Sequence, residues 1–172
     1  MNVVGWSGRF FEDFEVGDVY QHSSGRTVSE ADNTWFTLLT NNPHPLHFNA
    51  DYAARTEFGR PLVVSTLTLA IVTGLSVSDV SLNAVANLGW DKVRLPAPVF
   101  AGDTLYAESE VLEARPSRSR PQAGLVRVRT RGYNQQGVTV IEYERTVLVY
   151  RRDADPAAQR PRPLRADEAS RT

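Results

Sequence analysis

Residues 61–80, PLVVSTLTLAIVTGLSVSDV, decide how this chain folds. Apolar side chains dominate the stretch, and mostly Ser and Thr interrupt them. Such a run is either a buried strand or a helix enclosed by other structure, and periodicity alone does not separate the two. Its length and its small residues favour the helix.

Working outward, everything downstream reads as sheet. Residues 84–95, AVANLGWDKVRL, end at the Pro96–Pro98 breaker, and FAGD (100–103) makes a turn. TLYAESEVLEARP (104–116) alternates apolar and polar residues. In GLVRVRTRGYN (124–134) the alternation is strict, Val126, Val128 and Thr130 against Arg127, Arg129 and Arg131. QQGVTVIEYERTVLVYRR (135–152) follows a Gly-containing turn and completes a hairpin. One long apolar helix followed by consecutive strands predicts an α+β domain, its antiparallel sheet wrapped around the helix. The tail from Asp153 is rich in Pro, Arg and Ala and has no apolar periodicity. It is therefore expected to be a poorly ordered extension (153–172) behind a domain of residues 1–152.

Upstream, residues 19–28 suggest a short strand. In TVSEADNTWFTLLT (27–40), Thr27 and Glu30 have capping-box spacing, and Ala31, Trp35 and Leu38 recur at helical intervals. Pro43 and Pro45 force that helix to stop near Asn41. A helical turn is expected to resume over 49–58 and to end at Gly59. Between the two helices, TNNPHPLHFNADYAA (40–54) packs His44 and His47 among asparagines and prolines.

Composition narrows the classes. The 172 residues carry no cysteine, so disulfides and thiolate chemistry are excluded, and a reducing cytoplasmic location is expected. The formal charge of −1 argues against a nucleic-acid surface. No basic n-region with an apolar run opens the chain, and no run is long enough to span a bilayer, so neither signal peptide nor membrane is expected. No metal-ligand cluster stands out.

Three separated segments resemble the MaoC-like, R-specific enoyl-CoA hydratase family in order: FEDFEVGDVYQ with RTVSEAD, then residues 40–68, then VRLPAPVFAGDTLYAESEV (93–111). The resemblance covers about Phe10 to Tyr150 and implies a hot-dog fold, a CoA thioester as substrate, no separate cofactor and at least a homodimer. Carried over residue by residue, the family's catalytic histidine falls on His47 and its acidic partner on Asn42. The backbone N–H that polarises the thioester carbonyl falls on Ser65, and a water-fixing hydroxyl on Thr73. The motif's asparagine becomes His44, and the aspartate behind its histidine becomes Asn49.

Asn42 is the departure that matters, since an amide positions water but cannot take its proton. Either His47 handles both proton transfers or another acid helps, with Asp51 and Asp32 as the candidates. Residues 39–69 and 87–111 look closest to a branch resembling hydratases of itaconyl-, mesaconyl- or methylmalyl-CoA. The expected activity is addition or removal of water across the C2–C3 bond of an enoyl-CoA. A hot-dog thioesterase and a non-catalytic acyl-CoA binder are the alternatives. Arg127, Arg129 and Arg131 suit a solvated face better than a phosphate site, as do Lys92 and Arg94. His22 is expected to be structural or exposed.

Overall fold

The structure, a computed structural model, describes residues 6–156. Two short strands, β1 (Val19–Gln21) and β2 (Arg26–Thr27), lead into helix α1 (Glu30–Leu39) and the short α2 (Ala50–Ala54). The decisive run forms α3 (Ser65–Leu75), continued by a π turn over Val77–Ser81. Four long strands follow: β3 (Ala84–Arg94), β4 (Thr104–Pro116), β5 (Ala123–Tyr133) and β6 (Thr139–Tyr150). All pair antiparallel in the order β1-β4-β5-β6-β3, with β2 also on β4. This is the α+β arrangement expected, a helix laid on a sheet.

The sheet's inner face explains why 61–80 is helical. Leu67 and Val72 of α3 enter a core with Leu105, Ala107, Val140, Ile141 and Tyr143. Burying each large aliphatic side chain contributes about 1.5–3 kcal/mol, so the core outweighs the modest helix propensity of β-branched residues. A second cluster, with Val80, Val111, Val126, Val128, Val147 and Val149, closes the other end under Phe14. Enclosure of α3 is incomplete: Thr66, Ala70 and Gly74 form a narrow exposed stripe.

The outer face is a charge ladder. Strand register sets Glu108 opposite Arg131 and Glu110 opposite Arg129, and the pairs close at 2.7 and 3.3 Å. Arg127 bridges Glu113 and Glu144, and Lys92 holds Glu144 at 2.8 Å. The three arginines are therefore partnered within the sheet, in keeping with a solvated face.

Several local expectations shift. The capping box forms two residues later than predicted: the Ser29 hydroxyl accepts from Asp32 N–H at 3.1 Å, and Asp32 accepts from Ser29 N–H at 2.7 Å. Thr27 is held in β2 against Thr104, which moves the helix start onward. The Ala31–Trp35–Leu38 stripe faces out, with Trp35 65% and Leu38 68% exposed, whereas Asn33 and Thr37 are buried. The helix after Asn49 stops at Ala54 because the Thr56 hydroxyl donates to the Ala53 carbonyl and accepts from Phe58 N–H. Gly59 does take the left-handed conformation, at φ +67. The single early strand is interrupted between Gln21 and Arg26.

His22 is structural and buried, its ring set between Asp79 and Ser109 at 2.9 Å each. Burial pushes its pKa below the usual value for histidine, against the opposing pull of Asp79. Asp79 also binds Arg9 at 2.7 Å, so one carboxylate ties the N-terminal segment to the π turn and β4. Of the extension expected from Asp153, residues 157–172 lie outside the described residues. Arg152–Ala154 form a short 3-10 turn, and Arg152 clasps Asp13. No helix among the described residues is long and apolar enough to cross a membrane.

The approach of α3 to β5 depends on a missing side chain. A Cβ built on Gly132 would lie 2.6 Å from a methyl of Val72 and 2.8 Å from one of Ile141. Gly132→Ala should therefore lower stability by about 1–3 kcal/mol, read as a fall in the urea midpoint. An unchanged midpoint would mean that α3 moves away from the sheet at no cost.

Candidate active site

The loop between α1 and α2 is built from interlocking small caps. Asn41 takes a left-handed turn at φ +54, and the Asn42 carbonyl oxygen Oδ1 accepts from His44 N–H at 3.1 Å. His44 Nδ1 in turn accepts from Leu46 N–H at 3.1 Å, capping a 3-10 turn over Pro45–His47. Proline at the first position of that turn supplies the required φ and lacks an N–H that would go unused. Asn49 then caps α2 by accepting from Tyr52 N–H at 3.0 Å.

Holding the His47 ring is the work of a backbone carbonyl. His47 Nδ1 lies 2.9 Å from the Leu62 oxygen, just ahead of α3. A carbonyl only accepts, so Nδ1 carries a proton, and in the neutral ring the lone pair is on Nε2. Among the described residues no hydrogen-bond partner meets Nε2. The half-buried ring is thus presented as a base with a defined tautomer.

Behind it sits Asn33, 4% exposed on the inner face of α1. Its Nδ2 donates to the His47 carbonyl at 2.7 Å and to the Leu62 carbonyl at 3.0 Å. Its Oδ1 accepts from Val64 N–H at 2.9 Å. Swapping the amide's N and O would oppose like with like at all three contacts, so the orientation is unambiguous. One side chain therefore joins α1, the histidine loop and the start of α3. Sequence reasoning missed Asn33. The available signal was an asparagine, a poor helix former, one turn ahead of Phe36 and Thr37 on the face that is buried.

The expected residues do not all meet. Ser65 opens α3 with no side-chain cap ahead of it, and N–H groups in a first helical turn lack intrahelical acceptors. It lines a cleft of about 240 Å³ with Phe58, Leu62, Val63, Thr68 and the 95–99 loop. Leu62 thus connects this cleft to His47. Asn42 lines a separate cleft of about 370 Å³ with Leu38, Pro43 and Phe48. The two clefts flank the histidine loop. His44 stands 5.6 Å from His47, ring to ring. Thr73 lies two turns along α3 with its hydroxyl 3.0 Å from that of Tyr143, and lines neither cleft. Asn49 is occupied by its cap.

Neither candidate for the missing acid is poised to serve. Asp32 is committed to the Ser29 cap and to Arg26, and the Ser29 N–H bond leads in holding its pKa below the usual carboxylate range. Asp51 pairs with Arg55 one helical turn on. The site therefore offers one imidazole base, a helix start with free amide donors, and an asparagine where a carboxylate was expected. Asn42 Oδ1 is already engaged, which leaves its NH₂ as the group free to hold a water oxygen.

Known proteins resemble this chain over most of its length. The mesaconyl-CoA hydratase family model matches residues 5–166. A mesaconyl-CoA hydratase from Cereibacter sphaeroides is 41% identical over 90% of this chain and 45% of its own length. A beta-methylmalyl-CoA dehydratase from Chloroflexus aurantiacus is 38% identical over 88% of this chain and 43% of its own. The chain thus spans about half the length of the curated relatives it matches. A solved MaoC domain protein dehydratase from Chloroflexus aurantiacus superposes with a TM-score of 0.84 at 36% identity, over 97% of this chain and 48% of that one. That likeness extends to the hot-dog architecture of helix on antiparallel sheet. With a sequence match that runs through the histidine loop, the start of α3 and the sheet alike, the chain belongs to the mesaconyl-CoA hydratase family.

Proposed function

We propose that this protein is a hydro-lyase that adds water to, or removes it from, the C2–C3 bond of a branched dicarboxylic enoyl-CoA of the mesaconyl or methylmalyl type. The observation that carries the reading is the His47 ring, its tautomer set by the Leu62 carbonyl and its position tied through Asn33 to the first turn of α3.

In the hydration direction, Nε2 of His47 takes a proton from water as the water oxygen bonds to C3. The alkene pair moves to C2 and onto the thioester oxygen as an enolate. The Ser65 N–H, at the positive end of the α3 dipole, stabilises that oxygen. The imidazolium then returns the proton to C2, so that one water has been added with no net proton change. Asn42 lines the separate cleft beside the histidine loop, and its free amide donors are assigned the attacking water where it approaches His47 from that side. One base serves both transfers, which accounts for a site with no carboxylate at position 42. CoA enters as part of the substrate, and the chemistry calls for no separate metal or redox cofactor. A cytoplasmic setting belongs to the same reading.

A homodimer is part of this proposal. Among the described residues β3 ends the sheet and pairs only with β6, and along it Leu88, Trp90 and Val93 are exposed. An unpaired edge with apolar side chains invites a second strand. Gel filtration should report a dimer or larger; a monomer volume counts against it.

His47→Ala should lower kcat by about a thousandfold while leaving the circular dichroism spectrum unchanged, as expected for loss of a general base. Turnover near wild type would remove His47 from the mechanism. The assay follows enoyl absorbance and free thiol together. Release of CoA in place of loss of the alkene would identify a thioesterase, and binding without turnover an inert acyl-CoA module.

Asn42→Asp brings a titrating group beside the water, so kcat/KM should acquire a new acid limb. A pH profile identical to wild type would assign Asn42 to the turn alone. Asn33→Ala leaves the His47 carbonyl and the Val64 N–H without a partner and the Leu62 carbonyl with only the His47 ring. It should cost about 2–5 kcal/mol of stability and, below the melting range, at least tenfold in kcat. Full activity in a folded variant would separate Asn33 from catalysis.

A further inference from the structure

A dicarboxylic acyl-CoA poses a problem that the site as described does not solve. Its second carboxylate lies at C4, next to the reacting alkene and a few bonds from the carbonyl held at Ser65. Yet none of the side chains lining the Ser65 cleft is charged. A carboxylate entering an apolar cleft without a cation loses its hydration uncompensated. Some cation at the rim must receive it.

We infer that Arg60 reads this carboxylate and selects dicarboxylic over monocarboxylic enoyl-CoA esters, an inference that rests on the lyase reading above. Arg60 sits between two residues that line the cleft, Phe58 and Leu62. It is placed at the rim by backbone pairing: Leu62 bridges Phe100, and Val63 N–H donates to Val99 at 2.9 Å. Its guanidinium lies over the Phe100 ring, 4.0 Å from the centroid. Stacking fixes the plane of the guanidinium and keeps its N–H edges available, which suits a fork-like grip on two carboxylate oxygens.

Arg60 is also uncommitted. The neighbouring Arg55 is paired with Asp51, and the sheet arginines 127, 129 and 131 with glutamates. Among the described residues no carboxylate lies within ion-pair distance of Arg60. Arg94, on the other side of the cleft ahead of Leu95, faces Glu142 across the β3–β6 register. An exposed arginine held flat on a ring and left without a counter-charge is set for an anionic ligand.

The anion in reach has two sources, the acyl carboxylate or a phosphate of CoA. Fumaryl-CoA and crotonyl-CoA separate them, because they share all of CoA and differ only in carrying carboxylate or methyl at C4. The readout is the ratio of kcat/KM for fumaryl-CoA to that for crotonyl-CoA, with mesaconyl-CoA alongside. Arg60→Ala should lower the ratio by about ten- to a hundredfold, the range of a lost charge-assisted hydrogen bond. Arg60→Lys should recover part of it, and Arg94→Ala should leave it unchanged. Equal losses on both esters would assign Arg60 to CoA phosphate and overturn the inference, as would a ratio that does not move. If the wild type turns over none of the three esters, mesaconyl-CoA included, the lyase reading fails. The ratio of dissociation constants for the same esters then tests Arg60 by the same criteria.

Discussion

The site depends on one buried amide. Asn33 makes three hydrogen bonds, all to backbone groups: the carbonyls of His47 and Leu62 and the N–H of Val64. Without it the His47 carbonyl and the Val64 N–H would have no partner, at a cost of about 1–3 kcal/mol each, while the Leu62 carbonyl would keep only the His47 ring. The consequence goes beyond stability. Leu62 is at once the acceptor that sets the His47 tautomer and a wall of the cleft that Ser65 lines. Fixing Leu62 and Val64 with a single side chain therefore fixes the base relative to the start of α3. In the proposed mechanism a proton acceptor and an oxyanion donor act together only if their spacing is held to a fraction of an ångström, and Asn33 is placed to hold that spacing.

The rest of the fold holds this assembly in place. α3 descends far enough onto β5 to be stopped by Gly132, so the position of its first turn is set from below by Val72 and from above by Asn33. The inner core is divided between aliphatic packing and a polar line, in which Arg9, Asp79, His22, Ser109 and Thr130 are hydrogen-bonded in sequence. Its members come from the N-terminal segment, the π turn, β4 and β5. Polar groups in a core specify one arrangement because any other leaves them unpaired. The charge ladder outside makes a different contribution. Its pairs are part-exposed and individually weak, but they lie in register and oppose any slip of β4 against β5.

Replacing a carboxylate by Asn42 changes how the chemistry is distributed. With two titrating groups, the protonation states of base and partner depend on each other. With one, as in the proposed mechanism, the imidazole would carry both transfers and the asparagine would keep only the role of orienting water. The Asx turn with His44 makes this explicit, since it uses Oδ1 and leaves only the amide hydrogens of Asn42 to face a ligand. The proposed dicarboxylic substrate offers a reason for an amide here. A carboxylate at position 42 would repel the negative charge that such a substrate brings, and an amide does not.

Much of this protein was legible in one dimension because the signals are local. Strict alternation in residues 124–134 announced a strand with one buried face, and the length of the apolar run at 61–80 announced a helix against a sheet. Prolines at 43 and 45 marked the loop where a histidine is held, and three segments in order carried the resemblance. What sequence could not decide was which helix face turns inward. Trp35 and Leu38 outrank Asn33 on any scale of hydrophobicity, yet Asn33 is buried and they are exposed. The reason is that Asn33 meets backbone groups 14 and 31 residues away, and the benefit of satisfying them exists only once the chain has closed. The same holds for the job of Thr73, for the isolation of Arg60 and for the commitment of Asp32. Each depends on which partners lie nearby in space, and that was decided by tertiary structure alone.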